Sequence, residues 1–286
     1  MGINFSKVAF TYNPQRKKEK NAYVIQDVDL NINDTNEFIC VLGHTGSGKS
    51  TLVQMMNALL IPTLGNINVD GNIVSNKQQK NLKNIRKKVG LVFQFPEYQL
   101  FEETVLKDVA FGPKNFKIEN PEEKAKEAMS LFKLGEKFYN KNPFLLSGGE
   151  MRKVAISGIL ASNPEVLILD EPTVGLDPLT KQDLIDLLKK INQENNKTVI
   201  IVTHDMDVVW QVATRVLVVD DNEIVYDGDK YKLFKNDELV KKHSLDMPEI
   251  IKILKQLQEK LNIKIDVYQD NLEDACKAIV EAYNHE

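Results

Sequence analysis

The chain has 286 residues, 42% of them hydrophobic and 27% charged, a balance ordinary for a globular protein of one large domain, or one domain with an appendage. Its formal net charge of −4 argues against a dedicated nucleic-acid binder, which carries a basic excess. Cys40 and Cys276, the two cysteines, lie far apart without metal-ligand spacing and fit a reducing compartment better than a disulfide framework. No run reaches the ~18 apolar residues of a spanning helix, and MGINFSKVAF has no signal-peptide pattern. A cytosolic protein is expected, with any membrane role coming through a partner.

In chain order, Ile3–Phe10 and Tyr23–Ile32 read as strands, with the charged run Pro14–Asn21 as a solvated loop between them. Phe38–Leu42 is a short apolar strand, with Cys40 as a buried strand thiol, that ends in a glycine-rich turn. A helical pattern follows from Lys49 to Leu60, until Pro62 and Gly65 break it. Val89–Phe93, Glu165–Leu169, Thr198–Val202 and Val216–Val219 are short β-branched runs between helical segments, the pattern of buried parallel strands in an α/β sheet. Val105 to about Ala161 is mostly helical, with Pro121-Glu122-Glu123 as a helix start. It reads as a helical subdomain, about residues 95–161, inserted into a domain of residues 1–235. In the remaining extension, 236–286, Pro248–Leu261 sets Ile250, Ile251, Leu254, Leu257 and Leu261 near one helical face, and Leu272–Tyr283 reads as a second amphipathic helix.

Gly43-His44-Thr45-Gly46-Ser47-Gly48-Lys49-Ser50 matches the phosphate-loop pattern G-x-x-x-x-G-K-[ST] in full. Glycines let backbone N–H groups turn inward around phosphate oxygens, and the N-terminus of the following helix adds positive potential. Lys49 can reach the β- and γ-phosphates, and the Ser50 hydroxyl can hold Mg²⁺. Gly43, Gly46, Ser47, Gly48, Lys49, Ser50 and Thr51 are therefore the expected ATP-binding residues. The apolar strand ending in Asp170-Glu171 supplies the second half: Asp170 supports the magnesium shell, and Glu171 can orient and deprotonate the attacking water.

Between these two motifs stands Leu146-Ser147-Gly148-Gly149-Glu150, ahead of a helix expected from near Met151. Taken alone it is a helix-cap turn; in this position it resembles the signature of the ABC ATPase superfamily, and the resemblance spans roughly residues 3 to 230. It implies a P-loop NTPase fold with a mixed sheet, an inserted helical subdomain and a small helical extension. Residue by residue, it implies that Tyr12 stacks on adenine and that Gln94 touches magnesium and the attacking water. His204 would contact the γ-phosphate, and Asp177, in Gly175-Leu176-Asp177, would cross between subunits. Ser147, Gly148, Gly149 and Glu150 would cover the ATP of a partner subunit in a head-to-tail dimer. Glu171, His204 and Gln94 are then the catalytic set, and Ser50, Gln94 and Asp170 the magnesium set. One residue departs from the pattern: the signature usually ends in glutamine, and Glu150 adds negative charge near a polyanion.

The stretch Phe93–Val105 resembles the corresponding loop of the ATPases in energy-coupling factor (ECF) transporters, which take up vitamins and transition-metal ions. Leu146–Arg152 and Glu171–Gly175 look closer to the second of the two ATPase paralogues. The resemblance implies a paralogous ATPase in a heterodimer, a transmembrane coupling subunit and a substrate-binding membrane subunit, with this chain peripheral at the cytoplasmic face of a bacterial membrane. It also implies that the extension helps hold the dimer. Phe95, Tyr98, Leu100 and Phe101 are expected as exposed docking points for a partner helix. The nearest alternative is the ATPase of a conventional binding-protein-dependent importer, which the Phe95–Val105 stretch disfavours. Non-transport relatives fit less well: the interval from Ser50 to Leu146 is too short for long coiled coils, and the chain holds one ATPase unit.

Overall fold

The computed structural model describes residues 2–13, 15, 23–33 and 36–284; apart from Gln15, the charged run Pro14–Asn21 lies outside them. Strands and helices are numbered here in chain order. A five-stranded antiparallel sheet runs β2 (Ile25–Asn33), β1 (Gly2–Phe10), β4 (Leu64–Val69), β5 (Asn72–Ser75), β6 (Gln78–Gln79). A six-stranded sheet runs β11 (Glu223–Gly228), β10 (Arg215–Asp220), β3 (Phe38–Leu42), β9 (Thr198–Val202), β8 (Val166–Asp170), β7 (Val89–Val92). Every pairing in the second sheet is parallel except that of β11, so the sheet is mixed.

The parallel strands are apolar at nearly every position because both faces are covered. In β3, Phe38, Cys40 and Leu42 face one core and Ile39 and Val41 the other. The alternation repeats in β8, β9 and β10, following the two-residue side-chain period of a strand. One core lies between the two sheets around α1 (Lys49–Met56). The other lies under the helices. Cys40 is buried there, and burial pushes its thiol up to about 12.

α2 (Leu82–Lys88) leads into β7. α3 (Val105–Asn115), α4 (Pro121–Leu131) and α5 (Gly148–Leu160) pack on one another as a helical unit between β7 and β8. α6 (Pro178–Asn195) and α7 (Met206–Val212) flank β9, and α8 (Lys230–Phe234), α9 (Asp237–Lys242), α10 (Glu249–Leu261) and α11 (Leu272–Asn284) close the chain. Ile251, Leu254, Val267 and Ala275 from the last stretch belong to the same core as the sheet's helical face. Trp210 anchors them: its indole N–H donates to Gln269 O at 2.7 Å, and its ring meets Tyr231, Phe234 and Tyr268.

Two helix boundaries differ from the sequence reading. The helix from Lys49 stops at Met56, short of Leu60, because Ala58 takes a left-handed backbone (φ 53°). The helix expected from near Met151 starts at Gly148, because Ser147 caps it.

Candidate nucleotide-binding site

Parallel order brings the motifs together. The C-terminal ends of β3, β9 and β8 adjoin, with Val41 paired to Val202 and Val202 to Asp170. Gly43 therefore opens its loop beside Asp170, Glu171 and His204. The loop's shape requires glycine at Gly43 (φ 142°), where a Cβ would collide with the Val219 carbonyl oxygen, and at Gly48 (φ 103°), where it would meet Val24 O at 2.6 Å. The backbone of Gly46 faces open space. Lys49 is buried and donates from Nζ to Gly43 O and His44 O, both at 2.8 Å. Ser47 Oγ and Glu171 Oε1 are buried and have no hydrogen-bond partner among the described residues.

The charged groups perturb one another. Burial, reinforced by the neighbouring charge of Asp170, pushes the Glu171 carboxyl up to about 7, against the pull of Lys49. Burial also raises Asp170, opposed by a hydrogen bond from Ser50 and the charge of Lys49. Burial and the Lys49 charge lower His204, so its imidazole is neutral at pH 7. His204 Nε2 stands 3.2 Å from Glu171 Oε1 without the alignment of a hydrogen bond. Glu171 itself has a left-handed backbone (φ 47°), a conformation that costs a non-glycine residue about 1 kcal/mol. An acid poised near neutrality with an unused oxygen can take a proton from water.

Ser50 and Asp170 offer adjacent oxygens, the donors Mg²⁺ prefers when phosphates complete its shell. No cluster of three His, Cys, Asp or Glu among the described residues could hold a metal alone. Two protein oxygens leave most of an octahedral shell to phosphate and water, so the donor set fits a metal that arrives with a nucleotide. Gln94 follows β7, whose Val92 pairs with Leu169, and the register sets it at the same sheet end. Tyr12 follows β1; its hydroxyl lies 3.1 Å from Thr51 Oγ1, and its ring, 63% exposed, meets Phe10 edge-on. An exposed ring tethered to the first turn of α1 is a surface on which a flat base can stack.

The Ser147–Glu150 turn sits elsewhere, at the N-terminus of α5. Ser147 Oγ accepts from Glu150 N at 3.3 Å, and Glu150 Oε2 accepts from Ser147 N at 2.9 Å, a reciprocal capping box. Those bonds hold the Glu150 carboxyl below its ordinary pKa, so the residue that departs from glutamine is ionised. Gly148 and Gly149 have open space where a side chain would be. Asp177 caps α6, accepting from Leu179 N and Thr180 N.

In the segment after Gln94, Phe95, Tyr98 and Phe101 are exposed, Tyr98 most. Leu100 is not: at 5% exposure it belongs to the helical core beside Val105 and Val109, because the short 3₁₀ turn Pro96–Gln99 rolls it inward. Its expected docking role does not hold. Two arrangements had no signal in the sequence. Arg152 in α5 pairs in a two-toothed contact with Glu97, and Asp220 bridges His44 of the phosphate loop (3.2 Å) and His243 after α9 (2.7 Å).

Comparison with known proteins adds a family. Residues 25–174 match the family model described as ABC transporter. The chain is 45% identical, over 91% of its length and 90% of the relative's, to the energy-coupling factor transporter ATP-binding protein EcfA2 of Enterococcus faecalis. Among solved structures it is similar to cbiO1 of Clostridium perfringens, part of the ABC transporter complex cbiONQ (30% identity, 91% of this chain and 98% of that one, TM-score 0.72). It is also similar to an ATP-binding cassette in a dimeric post-hydrolysis state bound to ADP and Pi (33% identity, 79% and 98%, TM-score 0.69).

Proposed function

For a chain that belongs to the ABC transporter ATPase family, we propose the role of ATP-binding and hydrolysing subunit of an ECF-type transporter, energising uptake of vitamins or other micronutrients through membrane partners. The carrying observation is the gathering of Lys49, Asp170, Glu171 and His204 at one sheet end, with a Glu171 oxygen left free.

In this reading Lys49 exchanges its loop carbonyls for the β- and γ-phosphates, and the amides of Gly46, Ser47, Gly48, Ser50 and Thr51 wrap them. Tyr12 stacks on the adenine. Ser50, Asp170 and Gln94 would hold Mg²⁺, which when bound would offset charge on the phosphate oxygens. Glu171 orients a water and takes its proton as the water oxygen bonds to the γ-phosphorus. The bond from that phosphorus to the β–γ bridging oxygen breaks, releasing ADP and phosphate. His204, neutral, donates to the γ-phosphate. Ser147, Gly148, Gly149 and Glu150 cover the nucleotide of a partner ATPase, and Asp177 lies at the crossing between subunits. Binding ATP more tightly in the closed dimer than in the open one drives the cycle.

The partners we propose are a paralogous ATPase, a transmembrane coupling subunit and a substrate-binding membrane subunit. No helix among the described residues is long and apolar enough to cross a membrane. In this reading the chain sits peripherally on the cytoplasmic face through these partners. Phe95, Tyr98 and Phe101 are the docking points. Ile253, Leu261, Leu272, Val280 and Tyr283 are exposed on α10 and α11 and their ends; they support a dimer-holding role for the extension. The test is an affinity pull-down from mildly solubilised membranes of the source organism. Recovery of a second ATPase with a polytopic coupling protein supports the reading; a conventional permease pair would overturn the ECF role.

A further inference from the structure

Arg152 is 7% exposed, one turn into α5, and among the described residues the hydrogen bonds of its guanidinium reach neither Lys49, Ser50, Asp170 nor Glu171. Its guanidinium instead joins three segments. Nε donates to Glu97 Oε2 at 3.1 Å and Nη2 to Glu97 Oε1 at 2.9 Å. Nη1 donates to Val174 O at 2.6 Å and, at 3.5 Å, to Pro172 O. The guanidinium carbon stands 5.8 Å from the centre of the Phe95 ring. Burial alone would raise the Glu97 carboxyl; the Arg152 hydrogen bonds and charge outweigh it and hold the group below its ordinary value. A planar fork with a further nitrogen can make this set of contacts; an ammonium on a flexible stem cannot.

Each joined segment starts at a residue of the proposed site. Glu97 lies one short turn after Gln94, Pro172 and Val174 follow Glu171, and Arg152 follows the Ser147–Glu150 cap on the same helix. We propose that Arg152 is a positioning residue that fixes the signature helix, the Gln94 segment and the Glu171 loop in one geometry. Nucleotide held by a partner against Ser147–Glu150 is thereby felt at this chain's own Gln94 and Glu171. The inference rests on the reading of Glu171 and Ser147–Glu150 given above. It adds a link between them that acts in the reaction and leaves the hold of this chain's own phosphate loop on ATP alone, because Lys49, Ser50 and Tyr12 stand on other elements.

The test uses the assembly recovered from membranes, with R152K, E97Q and the double variant, measuring kcat and KM for ATP and the melting temperature. R152K keeps the charge and loses the fork; E97Q keeps the shape and loses the charge. Each single variant should lower kcat by about tenfold or more with KM within about twofold, the size that misplaced reacting groups produce. The double variant should be no slower than the slower single, as for residues that act as one unit. Folded single variants with wild-type kcat, a change confined to KM, or losses that multiply in the double would each overturn the proposal. If R152K does not fold, E97Q carries the test. If neither folds, the pair is a stability element and the proposal falls. E171Q in the same assembly separates the two readings: normal turnover there would sink the Glu171 assignment itself, whereas an inactive E171Q beside a normal R152K would sink only the link.

Discussion

At the scale of single residues, Glu171 carries two predictions. It is half-buried, next to Asp170, and has a buried oxygen without a partner. If it is the base, E171Q should keep ATP affinity within about twofold and lose about 10²–10⁴ in kcat; normal hydrolysis would contradict the role. The same carboxyl links stability to pH. Its folded pKa is raised to about 7 from an ordinary 4.5, so the folded state holds a proton that the unfolded chain releases between those values. Stability from this group is therefore full below about pH 4.5, falls as pH rises towards 7, and stays low above it. Because the site is in part open to solvent, the loss should be roughly 1–3 kcal/mol, short of the full conversion. Nucleotide-free E171Q should accordingly be more stable than wild type at pH 8 and match it at pH 4.5. Urea titrations at both pH values check this, and equal differences at the two would refute it.

Among the elements, α5 shows how a local rule and a functional pattern meet. Glu150 completes the capping box with Ser147 and, ionised, faces the positive end of the helix. E150Q should therefore lower stability by about 0.3–1 kcal/mol. In the proposed composite site it should also remove repulsion towards the partner's nucleotide, raising kcat/KM about two- to fivefold at low salt and less at high salt. No salt-dependent gain would mean that the carboxylate does not face the phosphates. The aromatic segment gives a second contrast. Tyr98→Ala and Phe101→Ala should weaken co-purification of the coupling subunit with ATP affinity unchanged. Leu100→Ala should instead destabilise the chain by about 2–5 kcal/mol, the cost of emptying a core leucine site. Equal recovery of the coupling subunit with the two aromatic variants would overturn the docking reading.

Across the whole molecule, the extension shares the core of the sheet domain through Trp210. This residue lies on α7, shortly after His204, and Lys230 Nζ donates to its carbonyl. Asp207 at the start of α7 accepts from Glu249 N at 2.7 Å, and His243 reaches Asp220, which also meets His44 of the phosphate loop. The tail thus grips α7, the helix that follows His204, and the end of β10 at several points. Trp210→Ala should cost about 3–5 kcal/mol by denaturant unfolding, and limited proteolysis should then cut within residues 236–286 before the sheet domain. Cleavage spread evenly along the chain would argue against this anchoring.

What the sequence determined by itself was local in origin. The parallel strands are apolar at almost every position because both faces are covered, and a two-faced strand reads as an unbroken run. The phosphate loop and the Asp170-Glu171 strand end are contiguous strings whose residue types follow from phosphate and metal chemistry, so the ABC ATPase fold and the ATP-dependent role were legible. A helix-cap turn at Ser147-Gly148-Gly149 was legible too, but its closing by Glu150 was not, because Glu150 first reads only as a departure from glutamine. Tertiary structure alone decided the rest. β4 to β6 are short, with only the brief alternation Asn66-Ile67-Asn68-Val69 in β4 to mark them, and they hold together by pairing in sequence, β4 on the edge of β1, β5 on β4 and β6 on β5. Leu100 turns inward among exposed aromatics because a single 3₁₀ turn sets its direction. Arg152 finds Glu97 across 55 residues, and Asp220 meets two histidines from different elements. Which charges pair depends on where packed elements cross, and a pattern along one chain does not carry that information.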